Sequence, residues 1–578
     1  MNSSALDSPA DKNVALKPGR AEINIVAGII FVVILLTTVP YLLAYSVSST
    51  FVGQIYNIVD FSVYMSWTRQ AADGHFGTLN LFTTVKQHGY LFNVLFLVMG
   101  NVVRVTGLPI PIVFQIFRIG GAVVLLLVAY LLCRTVYPES INARLTAFAL
   151  IALSSGFGFT YWPKWANINY PNMPVDTWQP EAFTFLSIYT TVLFVVATTF
   201  ILTAFYNLIR GELTGNYKYA VYAGLCGLAL GNIHSYDVLH IAAAWGFYLV
   251  AATVIEKKFN RDRWLRAFLA GALTLPSTVY QFWVFLHEPV FHARANTPTL
   301  SPILLYYVLG YGFVFFLALA AVILIATKRQ AFIDFFSNKQ VMLWIASWAV
   351  AGLTIIYLPV QFQRKMAMGE HVPLCILAGG AAAYIATGVR QKLRPILLSL
   401  LVVATFPTNA LFLARDYHHI EYNTSEIQQA EPFLTDPQVD VLKWLRRNTK
   451  PGQAVLAFPP MGAIGQFVPG YCDRPVWVGH WSETPNYAQK SAELLEMCYQ
   501  STPENVRHLF IVSTGVRYLV YPTSTAEEPI YTREGPMYLA DLGSQTPAYL
   551  TPLYRTEPAI QNVQDALAGS YTIFRVNR

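Results

Sequence analysis

Between residues 23 and 413 the sequence carries apolar runs long enough to cross a bilayer, and this feature decides what the chain can fold into. Backbone immersed in hydrocarbon has no water to satisfy its N–H and C=O groups, so each run must close its hydrogen bonds within a helix. Eleven runs qualify: 23–45, 111–132, 143–161, 183–208, 219–233, 238–255, 264–286, 303–326, 341–360, 372–389 and 395–413. Only 12% of residues are charged and the mean hydropathy is +0.42, whereas about a quarter of a soluble protein is charged. The expectation is an α-helical polytopic membrane protein with about 11 transmembrane helices plus interfacial helices, ending in a small C-terminal α/β extracytoplasmic domain. Residues 1–22 read as a cytoplasmic tail, 23–415 as the membrane domain and 416–578 as the soluble domain.

Charge settles the topology. A further segment, 90–105, is apolar but short and holds Asn93, Asn101 and Arg104. If it lies along the surface, 18 Lys and Arg residues fall inside and seven in the outer loops, which obeys the positive-inside rule. If it spans, every later loop flips and the basic stretch 256–266 moves outside. The surface reading is preferred, and it leaves a long first outer loop, 46–110, with amphipathic helices at the interface. The N-terminus is then cytoplasmic and the C-terminal domain extracytoplasmic, in the cytoplasmic membrane of a cell envelope. The net charge of +7 follows from this topology and points to no nucleic acid. No internal repeat is visible.

From Asp416 onward the pattern changes to short alternating elements. Helices are expected at 439–447, 486–497 and 504–513, and strands at 454–458, 475–479, 517–521, 550–555 and 571–576, a small partly parallel α/β layer. Cys472 and Cys498 share this domain and are candidates for a disulfide in an oxidising compartment. Trp477, His480, Trp481 and Glu483 cluster in one loop, as a domain interface or a sugar contact. Gly462 and Gly465 are turn glycines rather than a phosphate loop.

Acidic residues of the membrane domain gather on its outer face: Asp60, Asp73, Asp176, Glu181, Asp237, Glu288 and Glu370. Asp60 shares a helix face with Tyr64, at the exit of the first span; it suits a base accepting a hydroxyl proton, or an N-terminal cap. Arg69 and Asp73 are spaced for a structural pair. Lys86, Arg118, Arg364 and Lys365 lie at headgroup level, where cations neutralise a lipid-linked phosphate or anchor ordinary lipids. His234, Tyr236 and Asp237 crowd an outer turn and form a candidate pocket with Asp176 and Glu181. The loop 162–180, rich in Trp, Pro and Asn, is a candidate sugar wall.

The order Asp60, then Phe82-Thr83-Thr84-Val85-Lys86-Gln87-His88-Gly89-Tyr90-Leu91, then Phe117-Arg118-Ile119 resembles the C-type (GT-C) glycosyltransferase superfamily. Its members are multi-spanning enzymes that use polyprenyl-phosphate sugars, such as protein mannosyltransferases and aminoarabinose transferases. Narrower segments are also similar to bacterial members: Tyr64 to Gly74, Asp176-Thr177-Trp178-Gln179-Pro180-Glu181, His234-Ser235-Tyr236-Asp237, and Val478-Gly479-His480-Trp481-Ser482-Glu483-Thr484-Pro485. The resemblance implies Asp60 as catalytic base, Lys86 as a contact to the donor phosphate, Asp176 or Glu181 as a second pocket acid, and Arg364 near the lipid phosphate. Val85 departs from the Glu that the aminoarabinose enzymes carry there.

The function expected is an inverting transferase that moves a sugar from a polyprenyl-phosphate donor to an acceptor hydroxyl on the outer face of the membrane. Its partners would be that donor and membrane lipids. A divalent cation is compatible with such a site, but no ligand spacing for one is visible. The alternatives are a transporter or flippase of a lipid-linked substrate, which would want broken helices or midplane charge, and a non-catalytic assembly factor.

Overall fold

The computed structural model describes residues 18–167, 172–424, 431–462, 464–523, 530–532, 535–558 and 569–577. Of the sequence features above, the tail 1–17 and part of the loop 162–180 lie outside the described residues.

The membrane domain opens with α1 (Arg20–Val47), and the outer loop that follows contains α2 (Ile58–Ala72) and α3 (Val94–Thr106). Next come α4 (Ile110–Val136), α5 (Ile141–Leu153), the short α6 (Thr184–Thr190) and α7 (Val192–Thr214). After these, α8 (Lys218–Ile233), α9 (Asp237–Glu256), α10 (Arg261–His287), α11 (Pro289–Ala295) and α12 (Leu304–Ala326) alternate across the bundle. The domain closes with α13 (Gln330–Ile333), α14 (Lys339–Ile355), α15 (His371–Ala386), α16 (Arg394–Ala404) and α17 (Pro407–Tyr422). Among the described residues eight helices are long and apolar enough to cross a membrane, and α16 with α17, bent by 44°, makes up to nine.

The eleven expected runs are largely helical; 3-10 turns carry α5 on to Trp162 and lead into α15 from Gln363, whereas α8 and α14, at 16 and 17 residues, fall short of spanning length. At about 1.5 Å per residue α8 rises only about 24 Å. Its place is fixed by packing rather than by lipid exposure. Gly227 meets α10 so closely that a Cβ there would stand 2.1 Å from Thr274 Oγ1, and one at Gly231 would stand 2.4 Å from Ser277 Oγ. Small residues four apart let two helix backbones approach in this way.

At the end of the bundle expected inside, Glu22 of α1 takes two hydrogen bonds from Arg144 of α5, from Nε at 2.5 Å and Nη2 at 2.6 Å, and one from Tyr130. Arg263 and Arg266 of α10 bind Glu212 at the same end. Three of the basic residues counted toward topology, Arg144, Arg263 and Arg266, are therefore also knitted into helix contacts.

Two elements of the outer loop differ from simple interfacial helices. Twelve residues of α2 are buried, so it is enclosed rather than half-wet. Its cover is α19 (Ile464–Cys472), which follows α18 (Asp436–Asn448) and β1 (Val455–Ala457) in the C-terminal domain. The sequence hides α19 because Pro469 and three glycines nearby read as turns; Gly470 is required, since a Cβ there would come within 2.8 Å of Met65 Cβ. By contrast, α3 presents Val94, Val98 and Val105 outward.

The remaining elements are α20 (Tyr487–Cys498), α21 (Glu504–Ser513), β2 (Tyr518–Pro522), the small hairpin β3 (Ile530–Thr532) and β4 (Gly535–Met537), β5 (Leu550–Arg555) and β6 (Tyr571–Val576). The main sheet runs β1-β2-β6-β5, with β1 and β2 parallel and the other pairs antiparallel. The strand expected at 475–479 is reduced to one bridge, Val455 with Val476. Val476 instead donates its N–H to Leu81 O of the membrane domain at 2.8 Å. The two candidate disulfide cysteines are unbonded and buried in different cores.

The C-terminal domain is latched to the outer loop by polar contacts. Arg446 donates to both oxygens of Asp73, at 2.9 and 3.0 Å, replacing the expected pairing of Asp73 with Arg69. Thr484 donates to Phe82 O, and Asn80 donates to both the carbonyl and the carboxylate of Glu483.

Candidate active site

One cavity of ≈ 410 Å³ lies where α2, the α8–α9 turn, α11, the segment before α15 and the loop 478–485 meet. Asp60 lines it from the first turn of α2, with its side chain 33% exposed into the space. The residue before that helix, Asn57, is left-handed (φ 59°) and donates its amide to Asp60 Oδ2 at 2.8 Å. On the other oxygen, His480 Nε2 stands 3.4 Å from Oδ1. His480 Nδ1 accepts the backbone N–H groups of Ser482 and Glu483, so the ring proton is placed on Nε2, facing the carboxylate. Burial would raise the Asp60 carboxyl, but the His480 N–H, the Asn57 amide and the Lys365 charge outweigh it and hold the group at about 2. Asp60 is thus an ionised acceptor throughout the working pH range.

The opposite side is cationic. Lys365 Nζ sits 4.8 Å above the Tyr236 ring and has no carboxylate within ion-pair distance among the described residues. Arg364 stacks over Trp178 at 5.0 Å, and its Nε is 3.8 Å from Glu181 Oε1. Burial raises the Glu181 carboxyl, with Arg364, Lys365 and His234 pulling against that shift. A third cation, Arg294 of α11, lies over Trp67 at 5.3 Å and pairs with Glu483 at 2.7 Å. Tyr64 stacks on Phe96 and completes the floor beside Asp60. The cavity therefore combines a fixed anionic acceptor, clustered cations and aromatic faces, a combination suited to a phosphorylated amphiphile that carries a polyol.

Of the residues singled out from sequence, Asp60, Tyr64, Glu181, His234, Tyr236, Arg364 and Lys365 converge on this space. Four do not. Lys86 lines a separate cavity of ≈ 420 Å³ with His75, Asn80 and Asp473, because the loop carrying it folds toward the C-terminal domain. Arg118 is buried in the bundle, donating to Gln115 Oε1 at 2.8 Å and Ile188 O at 2.9 Å under the Tyr41 ring. Asp176 accepts the N–H groups of Gly156 and Gly158 and shapes the loop; burial outweighs these bonds and pushes its carboxyl up to about 7. Asp237 stands behind His234, outside the lining.

Sequence reasoning passed over Arg294, one of several cations in an outer loop, and gave the loop of His480 and Glu483 chiefly to a domain interface. The run 478–485 was the signal available: Glu483 lines the cavity and holds the interface, while the buried His480 reaches the cavity through Asp60. Among the described residues no three His, Cys, Asp or Glu side chains gather in a way that holds a metal ion. Asp60 is engaged by Asn57 and Glu483 by Arg294, and no step below runs through a metal.

Solved structures share the architecture at low sequence identity. The archaeal oligosaccharyltransferase AglB from Archaeoglobus fulgidus, in complex with an inhibitory peptide and a dolichol-phosphate, matches with a TM-score of 0.53 and 14% identity, over 92% of this chain and 76% of its own. The arabinofuranosyltransferase AftD from Mycobacteria matches at 0.53 and 14%, over 98% of this chain and 40% of the larger protein. ArnT from Cupriavidus metallidurans, in the apo state, matches at 0.51 and 12%, over 91% and 99%. No family model matches the sequence, and no curated protein matches it either.

Proposed function

The chain has the fold of the C-type glycosyltransferases, and from that premise we propose that it is itself a glycosyltransferase using a lipid-linked donor. More finely, we propose transfer of a sugar from a polyprenyl phosphate to an acceptor hydroxyl, with inversion, on the extracytoplasmic side of the cytoplasmic membrane. The observation that carries this reading is the joint placement of ionised Asp60 with Lys365 and Arg364 around one cavity. Its supports are the fold and, in AglB, a dolichol-phosphate bound to a protein of the same architecture. The orientation rests on the positive-inside count.

In this mechanism the acceptor hydroxyl attacks the anomeric carbon while the C–O bond to the phosphate breaks, and the electron pair leaves on the phosphate oxygen. Lys365 and Arg364 neutralise that developing charge, and one such group commonly contributes about 3 kcal/mol to the transition state where water is excluded. Asp60 receives the hydroxyl proton. A carboxylate held at about 2 is a weak base toward a neutral alcohol. The proton therefore moves late, once the new C–O bond has made the oxygen acidic. Asn57 donates to one Asp60 oxygen at 2.8 Å and His480 Nε2 stands 3.4 Å from the other, so the two neighbours orient the carboxylate.

The test is reconstitution of the full chain in liposomes with a panel of polyprenyl-phosphate sugars, comparing wild type with Asp60→Asn. Transfer by the wild type and a loss of at least a hundredfold in the variant are expected. Undiminished transfer by Asp60→Asn would remove the base, and no transfer with any donor would favour movement of the lipid across the membrane instead.

A further inference from the structure

Behind the cavity wall stands a carboxylate that the mechanism above leaves unused. Asp237 opens α9, is fully buried, and neither of its oxygens has a well-formed hydrogen bond among the described residues. Its ionic neighbour is His234, whose Nδ1 lies 2.9 Å from Asp237 Oδ2. A buried carboxylate without a counter-charge is strongly disfavoured, and the free N–H groups at a helix start relieve only part of that cost. The pair is therefore best balanced with the imidazole charged.

With Nδ1 turned to Asp237, Nε2 is the ring nitrogen left for the cavity, which His234 lines with an 11% exposed side chain. Around this ring Asp237 of α9 stands at Nδ1 and Tyr236 of its own turn packs edge-on, while Glu181, Arg364, Lys365, Asp60 and Arg294 share the cavity lining. Phe194 of α7 closes the apolar side. Arg364, Lys365 and the His234 ring are therefore the donors on this side of the cavity that a phosphodiester oxygen can meet.

We propose that His234 is a third donor to the donor lipid's phosphate, a titrating one, and that Asp237 is the positioning residue that keeps it charged and aimed. This rests on the phosphate-binding role given to Arg364 and Lys365. Charge-assisted hydrogen bonds of this type strengthen binding about tenfold or more. Unlike the two fixed cations, an imidazole can give up its proton, so its contribution is read as a dependence of binding on pH.

The probe is the methyl diester of undecaprenyl phosphate, whose single charge does not change in the range where histidines titrate, titrated into the full chain in lipid nanodiscs by tryptophan fluorescence. Wild type is expected to bind about tenfold more weakly at the alkaline end than at the acid end. His234→Gln should bind weakly at every pH. His234→Lys, which restores a fixed charge and so separates lost charge from a damaged fold, should bind tightly at every pH. Asp237→Asn should move the transition toward acid. A His234→Gln variant that keeps the wild-type affinity and pH profile, or a wild type whose binding is flat in pH, overturns the proposal. Absence of binding by the wild type at all pH values instead removes the phosphate site on which it rests.

Discussion

The ion pair between Arg294 and Glu483 joins the two domains at the cavity edge, and its strength is open to measurement by a double-mutant cycle. Arg294 Nε is 2.7 Å from Glu483 Oε1, with side chains 24% and 2% exposed, and Asn80 donates to the second oxygen at 3.1 Å. At about 4 Å between charge centres and an effective dielectric constant near 20, the attraction is about 4 kcal/mol. Solvent reaching Arg294 halves that figure, so a coupling of about 2 kcal/mol is expected. Glu483→Gln should destabilise by about 2–3 kcal/mol because it leaves the guanidinium against Trp67 without its counter-ion. Arg294→Met should cost a similar amount by stranding the Glu483 carboxylate, while the double variant should lose far less than the sum. The assay is unfolding of the four proteins in detergent micelles, followed by release of the C-terminal domain under limited proteolysis. Coupling below about 0.5 kcal/mol would mean the two residues act independently and the latch argument fails.

Lys365→Met is expected to cut donor affinity at least tenfold while Lys86→Ala leaves it within about twofold, since Lys86 lines the other cavity; equal losses in a lipid-binding titration would reverse that assignment. His480→Asn keeps an acceptor for the Ser482 and Glu483 N–H groups but removes the contact to Asp60. Burial then acts with less opposition and the Asp60 carboxyl rises from about 2. Because the ionised form is the active one, activity should be lost from the acid side first, and transfer rates between about pH 3 and 5 should fall while those near neutral stay as in wild type. Gly352→Ala would put a Cβ 1.6 Å from Glu370 Oε2, both buried. A destabilisation of about 3 kcal/mol, read as a lower yield of monodisperse protein, is expected; wild-type behaviour would show that the helix α14 can give way.

The helices were legible because hydrocarbon leaves the backbone one solution, and the eleven runs needed no knowledge of partners. What hydropathy could not tell was that α8 and α14 stop short, since helix length is set there by the glycine contacts with α10 and by neighbours of α14. At the site, outer-face charges were found by type and depth, yet depth does not say which way a loop turns. Lys86 and Lys365 are both outer cations, and only the fold sends them to different cavities. Arg118 and Asp176 illustrate the second ambiguity, since a buried charge that ties backbone groups together looks, in sequence, like one waiting for substrate. Arg294 and His480 were harder still, because their roles arise from contacts between segments far apart in the chain.

The His480 contact has a consequence for biogenesis. The ribosome delivers Asp60 early and His480 several hundred residues later, after nearly every membrane helix has been threaded. Until that late segment settles over α2, the carboxylate lacks the ring that helps keep it ionised and oriented. A nascent chain already seated in the bilayer thus carries this carboxylate without its ring partner until translation is all but finished.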